Sequence, residues 1–209
     1  MNPFIAENEL CGLPISITRL QSVNTTIMMT LGSLNNLLTT RNEMFLKYKI
    51  QKHTNTMAPN IIEIVTRIEN DFEGVIPKSS WGETSLFYNP GKALPNGVYF
   101  CTLKEKNGEN DKASELDREG VFRLSIGVAK ETYEKHFGSK PKRPPKGGII
   151  DTGHDFATIN ELMPHPIYGW MSWVQVLSPS ASMFESLLPL IAEAHANAVS
   201  KFNKKTANK

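Results

Sequence analysis

The sequence has little cysteine, little net charge and no long apolar run. Two cysteines in 209 residues are too few for a disulfide framework, which favours a reducing compartment. A formal net charge of +2 gives no electrostatic reason to expect nucleic acid as a partner. No run of about 18 apolar residues occurs, so no membrane span is predicted. These absences are typical of a soluble globular protein, which we expect in the cytoplasm.

The signature motifs of common catalytic sites are also missing. The chain has no GxSxG nucleophile elbow, no HExxH zinc motif, no P-loop and no dinucleotide fingerprint. The sequence therefore specifies no cofactor and no reaction, and it leaves the oligomeric state open.

Residues 1–56 differ in composition from the rest of the chain. They are rich in Thr, Asn and Ser and contain few acidic residues. We interpret 1–56 as an N-terminal extension that is poorly ordered or forms an amphipathic helix. An organellar transit peptide is the alternative, which would change the predicted compartment. Met57 is a natural start for a single folded domain over 57–209, which ends in a basic tail.

Helical and strand patterns follow from Asn60 onward. Asn60 and Glu63 form the signature of a capping box at a helix start. Short strand patterns come next with brief connections, which favours antiparallel pairing because parallel strands need long crossovers. Further helices are predicted over 130–137, over about 156–163 and from Ser182 to about Phe202. The order predicts an α+β fold, in which an antiparallel sheet is flanked by an N-terminal and a C-terminal helix.

Several long motifs resemble a known family. They are SELDREGVFRLSIGVAKETYEKHFG, DTGHDF, LMPHPIYGWMSWVQVLSPS and FESLLPLIAEA, in that order within about residues 59–203. These motifs are similar to the family catalogued as domain of unknown function 6194, which has no established activity. The helix–sheet–helix order is similar, more distantly, to small YjbR-like domains, for which DNA binding has been suggested. The resemblance implies a domain boundary and no reaction.

The stretch from Gly147 to Ser180 concentrates side chains that can carry chemistry. It contains two of the five histidines and two of the three tryptophans. Imidazole and carboxylate groups together can transfer protons or bind a metal. The candidate catalytic residues are His154, His165 and Asp155. Their spacing matches no metal-binding motif, so no metal ligand is assigned.

Structural roles would explain the same side chains. Asp155 is placed to cap a helix that begins near Phe156, and Asp151 to brace the turn before Gly153. His165 lies between two prolines, where it can hydrogen-bond a backbone carbonyl.

The candidate ligand-binding residues are Arg123, Asp151, Tyr168 and Trp170. Strand alternation places Arg123 on the sheet face opposite Phe122, where its forked guanidinium can hold a carboxylate or phosphate. A salt bridge within the protein is the alternative. Tyr168 and Trp170 can line a pocket, since large aromatic rings beside polar groups are typical of ligand sites, although such rings also fill cores.

Three hypotheses follow from these residues. The sequence favours a binding module that holds a small anionic ligand in a pocket of His154, His165, Tyr168, Trp170 and Arg123. The second is a histidine-dependent hydrolase or proton-transfer enzyme, with or without a metal. The third is a structural or nucleic-acid-interaction domain that uses the basic loop 139–148. One short loop without aromatic residues argues against nucleic-acid binding.

Overall fold

The computed structural model describes residues 58–207. Within them, the helices are α1 (Ile61–Asp71), α2 (Lys130–Phe137) and α3 (Ala181–Ala207). The strands are β1 (Val75–Ser80), β2 (Glu83–Tyr88), β3 (Val98–Lys104), β4 (Arg123–Gly127), β5 (Met163–Pro164) and β6 (Trp173–Leu177). They form one sheet in the order β1-β2-β3-β4-β6-β5, with every neighbouring pair antiparallel. The predicted α+β fold is confirmed; the predicted extension, 1–56, lies outside the described residues.

Helix α1 begins where the sequence predicts, because side chains satisfy its first backbone N–H groups. The Asn60 side chain accepts a hydrogen bond from the Glu63 backbone N–H at 3.0 Å. The Glu63 carboxylate accepts one from the Asn60 N–H at 2.9 Å, which completes the capping box. The apolar stripe of α1 then buries Ile64 and Ile68.

One face of the sheet packs against α1 and α3 and forms the main core. The strands contribute Leu86, Cys101, Leu103, Leu124, Ile126, Val174 and Val176. The two helices contribute Ile64, Ile68, Phe184, Leu187, Ile191, Ala194 and Ala198. Because strand side chains alternate between faces, the other face of the sheet is free to carry different chemistry.

The helix predicted over about 156–163 is wrong. This segment forms turns, an isolated bridge to the end of β6 and the short strand β5. The Asp155 carboxylate accepts a hydrogen bond from the Ala157 N–H at 3.0 Å and so holds a turn rather than capping a helix. Asn160 has a φ of 60°, which a right-handed helix does not allow. Pairing with β6 outweighs the local helical pattern.

Three rows of side chains cross the second face of the sheet. The charged row contains Glu83, Lys104 and Arg123, which follow one another in the pairing register. The polar row contains Ser85, Thr102, Ser125 and Gln175. The aromatic row contains the paired residues Phe87 and Tyr99 and the paired residues Gly127 and Trp173. A bulge opposite the step from Leu86 to Phe87 aligns the rows across β2 and β3.

Candidate functional site

A cavity of about 810 Å³ lies over this second face. The charged row and the aromatic row form the two ends of its floor. Its walls are the loop 108–111, the basic loop segment 143–148 and residues of the segment 165–171. Pockets for small molecules typically have volumes of about 300–1,000 Å³, so the cavity has the size of a ligand site.

An ion pair between the buried Arg123 and the partly buried Asp111 organises the charged row. Arg123 is only 2% exposed, and its Nη1 and Nη2 donate to Oδ1 and Oδ2 of Asp111 at 2.9 and 2.5 Å. Lys104 Nζ donates to the same carboxylate at 2.8 Å. Burial opposes ionisation of Asp111, but the hydrogen bonds and charges of Arg123 and Lys104 outweigh it. The pKa of this carboxyl is therefore well below its ordinary value.

The pairing with Asp111 limits the contacts that Arg123 can make with a ligand. Both terminal nitrogens of its guanidinium donate to Asp111, which is the salt bridge foreseen as the alternative to a ligand contact. Its Nε is buried and has no hydrogen-bond partner within residues 58–207. Arg123 lines the cavity, but its main effect is to position Asp111 and the loop 108–111 at the cavity wall.

His165 is buried at the same cavity, and the backbone orients its ring. Nδ1 accepts hydrogen bonds from the N–H groups of Ile167 and Tyr168 at 3.1 and 3.2 Å. A ring nitrogen that accepts carries no proton, so the proton of the neutral ring is on Nε2. Burial, and then the positive charge of Arg123, lower the pKa of His165 well below its ordinary value. His165 is thus a neutral ring with an Nε2–H donor.

This tautomer bears on the proton-transfer hypothesis. A general base must offer a lone pair to the proton that it removes. In His165 the lone pair is on Nδ1, where two backbone N–H groups already donate to it. The arrangement suits a hydrogen-bond donor to a ligand better than a base.

Three of the predicted residues lie away from the cavity lining. His154 packs near Phe137, with ring centres 6.0 Å apart, and its Nδ1 is 3.0 Å from the Thr152 hydroxyl. Asp151 and Asp155 are exposed. None of the three is among the described residues that line the cavity. Over the span 58–207, no group of three or more histidine, cysteine or carboxylate side chains could hold a metal ion.

Tyr168 and Trp170 do line the cavity. Trp170 is half-buried, and the guanidinium carbon of Arg143 lies 4.9 Å from its ring centre, a cation–π contact. Tyr168 is half-exposed and packs against the ring of His165, with centres 4.9 Å apart. The structure therefore brings four of the predicted residues to one cavity: Arg123, His165, Tyr168 and Trp170.

The aromatic row is not among the residues that the sequence patterns predicted. Trp173 lies over Gly127, where an added Cβ would come within 3.0 Å of the indole ring. The indole stacks on Tyr99, with ring centres 5.4 Å apart and planes inclined by 29°. Tyr99 also packs against Phe87 at 5.9 Å. Glycine in β4 thus allows Trp173 to reach across the sheet and join the row.

Fold and site together define an α+β domain with a ligand-sized cavity on the sheet face opposite its core. A model described as a family of unknown function (DUF6194) matches residues 57–207. The chain belongs to this family, and the resemblance in its motifs is confirmed. No curated protein and no solved structure matches the chain. The more distant likeness to YjbR-like domains stays a prediction.

No helix in the described part of the chain is both long enough and apolar enough to cross a membrane.

Proposed function

We propose that this domain is a small-ligand-binding module whose site is the cavity over the second sheet face. The observation that carries the proposal is a cavity of about 810 Å³ with charged, polar and aromatic rows on its floor. Ligand sites combine apolar surface with a few oriented polar groups. Here Tyr168 and Trp170 supply apolar surface, and the Nε2–H of His165 supplies a fixed donor.

The ligand of this module is a small anion. In the charged row, Lys104 and Arg123 are balanced by Asp111 and Glu83, so this cluster adds no net charge. Two further cations line the cavity, Arg143 and Lys146, and within residues 58–207 neither is ion-paired. They outnumber the remaining lining carboxylate, that of Glu109. The wall formed by the basic loop is therefore positive and attracts anions.

The donor tautomer of His165 favours binding over general-base catalysis. A buried free thiol at Cys101 suits a reducing compartment, and we place the module in the cytoplasm. Burial raises the pKa of this thiol, so it is inert at neutral pH.

A substitution that fills the cavity tests the proposal. Ser85 lies in the polar row and lines the cavity, so Ser85→Trp places an indole in the space that a ligand would occupy. Ser79→Trp, at an exposed position of the neighbouring strand β1, is the matched control. Binding of a library of small carboxylates and phosphates to the full chain is measured by saturation-transfer NMR.

We expect compounds that bind the wild-type chain to lose binding in Ser85→Trp and to keep it in Ser79→Trp. If no compound distinguishes the two variants, the cavity is not a ligand site.

A further inference from the structure

We propose, on the basis of the proposed function, that the ligand is an elongated aromatic acid. Its flat ring lies on the aromatic row, and its anionic group lies at the other end of the cavity beside the basic loop. The inference rests on the unequal chemistry of the two ends of the cavity floor.

The aromatic end offers a surface for a flat ring. Tyr99 is 51% exposed, although it lies in the middle of the sheet, and both Phe87 and Trp173 are only partly buried. All three line the cavity. The stacked pair of Tyr99 and Trp173 leaves aromatic surface facing the cavity, and aromatic rings stack on or meet such surfaces edge to face.

The basic loop lies at the charged end. Gly147, which follows Lys146, approaches the side chain of Asn110 so closely that a Cβ would be 3.4 Å from its Oδ1. The loop 108–111 in turn borders the charged row, since a Cβ on Gly108 would be 3.1 Å from Lys104 Nζ. The part of the basic loop that carries Lys146 therefore lies beside the loop 108–111 and the balanced charged row.

The separation of the two ends defines the length of the ligand. Glu83 and Phe87 begin the charged and aromatic rows on the same strand and are four residues apart. At about 3.3 Å per residue, the rows are roughly 13 Å apart. A compound that contacts both ends needs a ring system and an acidic group separated by a comparable length.

A pair of fluorescent probes tests this assignment on the full chain. One is 2-anilinonaphthalene-6-sulfonate, an elongated aromatic acid whose phenyl ring and sulfonate lie at opposite ends of the molecule; the other is N-phenyl-2-naphthylamine, which has the same rings and no acidic group. We expect the sulfonate to bind roughly tenfold more tightly, because only it gains charge-assisted contacts. Fluorescence titration gives both dissociation constants.

Three variants test which end of the cavity binds the acidic group and which end binds the rings. The double variant Arg143→Ala/Lys146→Ala should weaken binding of the sulfonate by roughly tenfold and leave the affinity for the neutral probe unchanged. Lys140→Ala with Lys142→Ala removes the same charge from residues of the same loop that do not line the cavity, and should change neither. Tyr99→Ala should weaken the binding of both probes. An unchanged circular dichroism spectrum is the control for folding.

The possible results separate this inference from the proposed function. Equal affinities for the two probes, or an unchanged sulfonate affinity in the Arg143/Lys146 variant, would overturn the inference. The proposed function would survive that result if Ser85→Trp still removed probe binding. If neither probe bound, or if Ser85→Trp left probe binding intact, the inference would be rejected, and the library of carboxylates and phosphates would still decide the proposed function.

Discussion

Asp111 and Arg123 lie 12 residues apart and face each other through two parallel hydrogen bonds of 2.9 and 2.5 Å. Arg123 is the first residue of β4, and Asp111 lies in the preceding loop. The pair therefore holds that loop against the sheet, and Lys104 at the end of β3 joins it. One wall of the cavity depends on this contact.

Removing the charge of Asp111 should destabilise the fold. In Asp111→Asn the guanidinium of Arg123 stays buried, at 3% side-chain exposure, without its counter-charge. Breaking a buried ion pair from one side typically costs about 3–5 kcal/mol, and we expect a loss of about 3 kcal/mol in the free energy of unfolding. Urea denaturation measures it. Glu119→Gln, at an exposed position of the same loop, should change stability by less than about 0.5 kcal/mol. Equal stabilities of the two variants would contradict the role of the pair.

Adding one methyl group to Gly127 should displace the indole of Trp173. The new Cβ would lie 3.0 Å from two atoms of the ring, closer than packed carbon atoms allow. We expect Gly127→Ala to cost about 1–3 kcal/mol and to shift the tryptophan emission. In a Trp173→Leu background the same change should cost much less, because the ring is gone. Urea denaturation of the four proteins gives the coupling, and additive effects would show that the two residues do not constrain each other.

Local features of this fold could be predicted because they depend on near neighbours. The capping box depends on Asn60 and Glu63, which are three positions apart in one helical turn. The sheet face of Arg123 follows from the alternation of side chains along its own strand. The aromatic row could not be predicted by simple alternation. The bulge places Phe100 in the core and leaves Tyr99 and Thr102, three positions apart, on the same face.

The ion pair and the donor tautomer depend on how distant segments meet. The loop 105–120 contains six acidic residues, and no local pattern says that Asp111 is the one that reaches Arg123. The state of His165 depends on the turn that follows it, which directs two backbone N–H groups at Nδ1. The sequence predicted His165 as a site residue, but its Nε2–H tautomer could not be predicted because it depends on this turn.

Lowering the pH should destabilise the fold, because His165 is buried in its neutral form. Its pKa in the folded chain is well below the value of about 6.5 expected when unfolded. Between these two values the unfolded chain binds a proton that the folded chain does not, so stability falls as the pH drops below about 6.5. This group alone can contribute a slope of up to about 1.4 kcal/mol per pH unit.

Thermal or urea unfolding between pH 7 and pH 5 measures this slope. His165→Asn keeps an acceptor near the position of Nδ1 but cannot titrate, so its stability should depend less on pH. His136→Asn, at an exposed site on α2, should keep the slope of the wild-type chain. An unchanged slope in His165→Asn would mean that His165 is not the group responsible.

The last prediction separates His154 from Trp170, a predicted residue that does line the cavity. His154 packs near Phe137 and is absent from the cavity lining in the described residues, so His154→Ala should leave the affinity for 2-anilinonaphthalene-6-sulfonate unchanged. Trp170 lines the cavity and holds the guanidinium of Arg143 through a contact of 4.9 Å. Trp170→Ala removes both the apolar wall and the support for Arg143, and should weaken binding of the probe by roughly threefold to tenfold. Fluorescence titration of both variants decides the matter. A larger loss in His154→Ala would move the site away from the sheet face and toward the turn at 151–155.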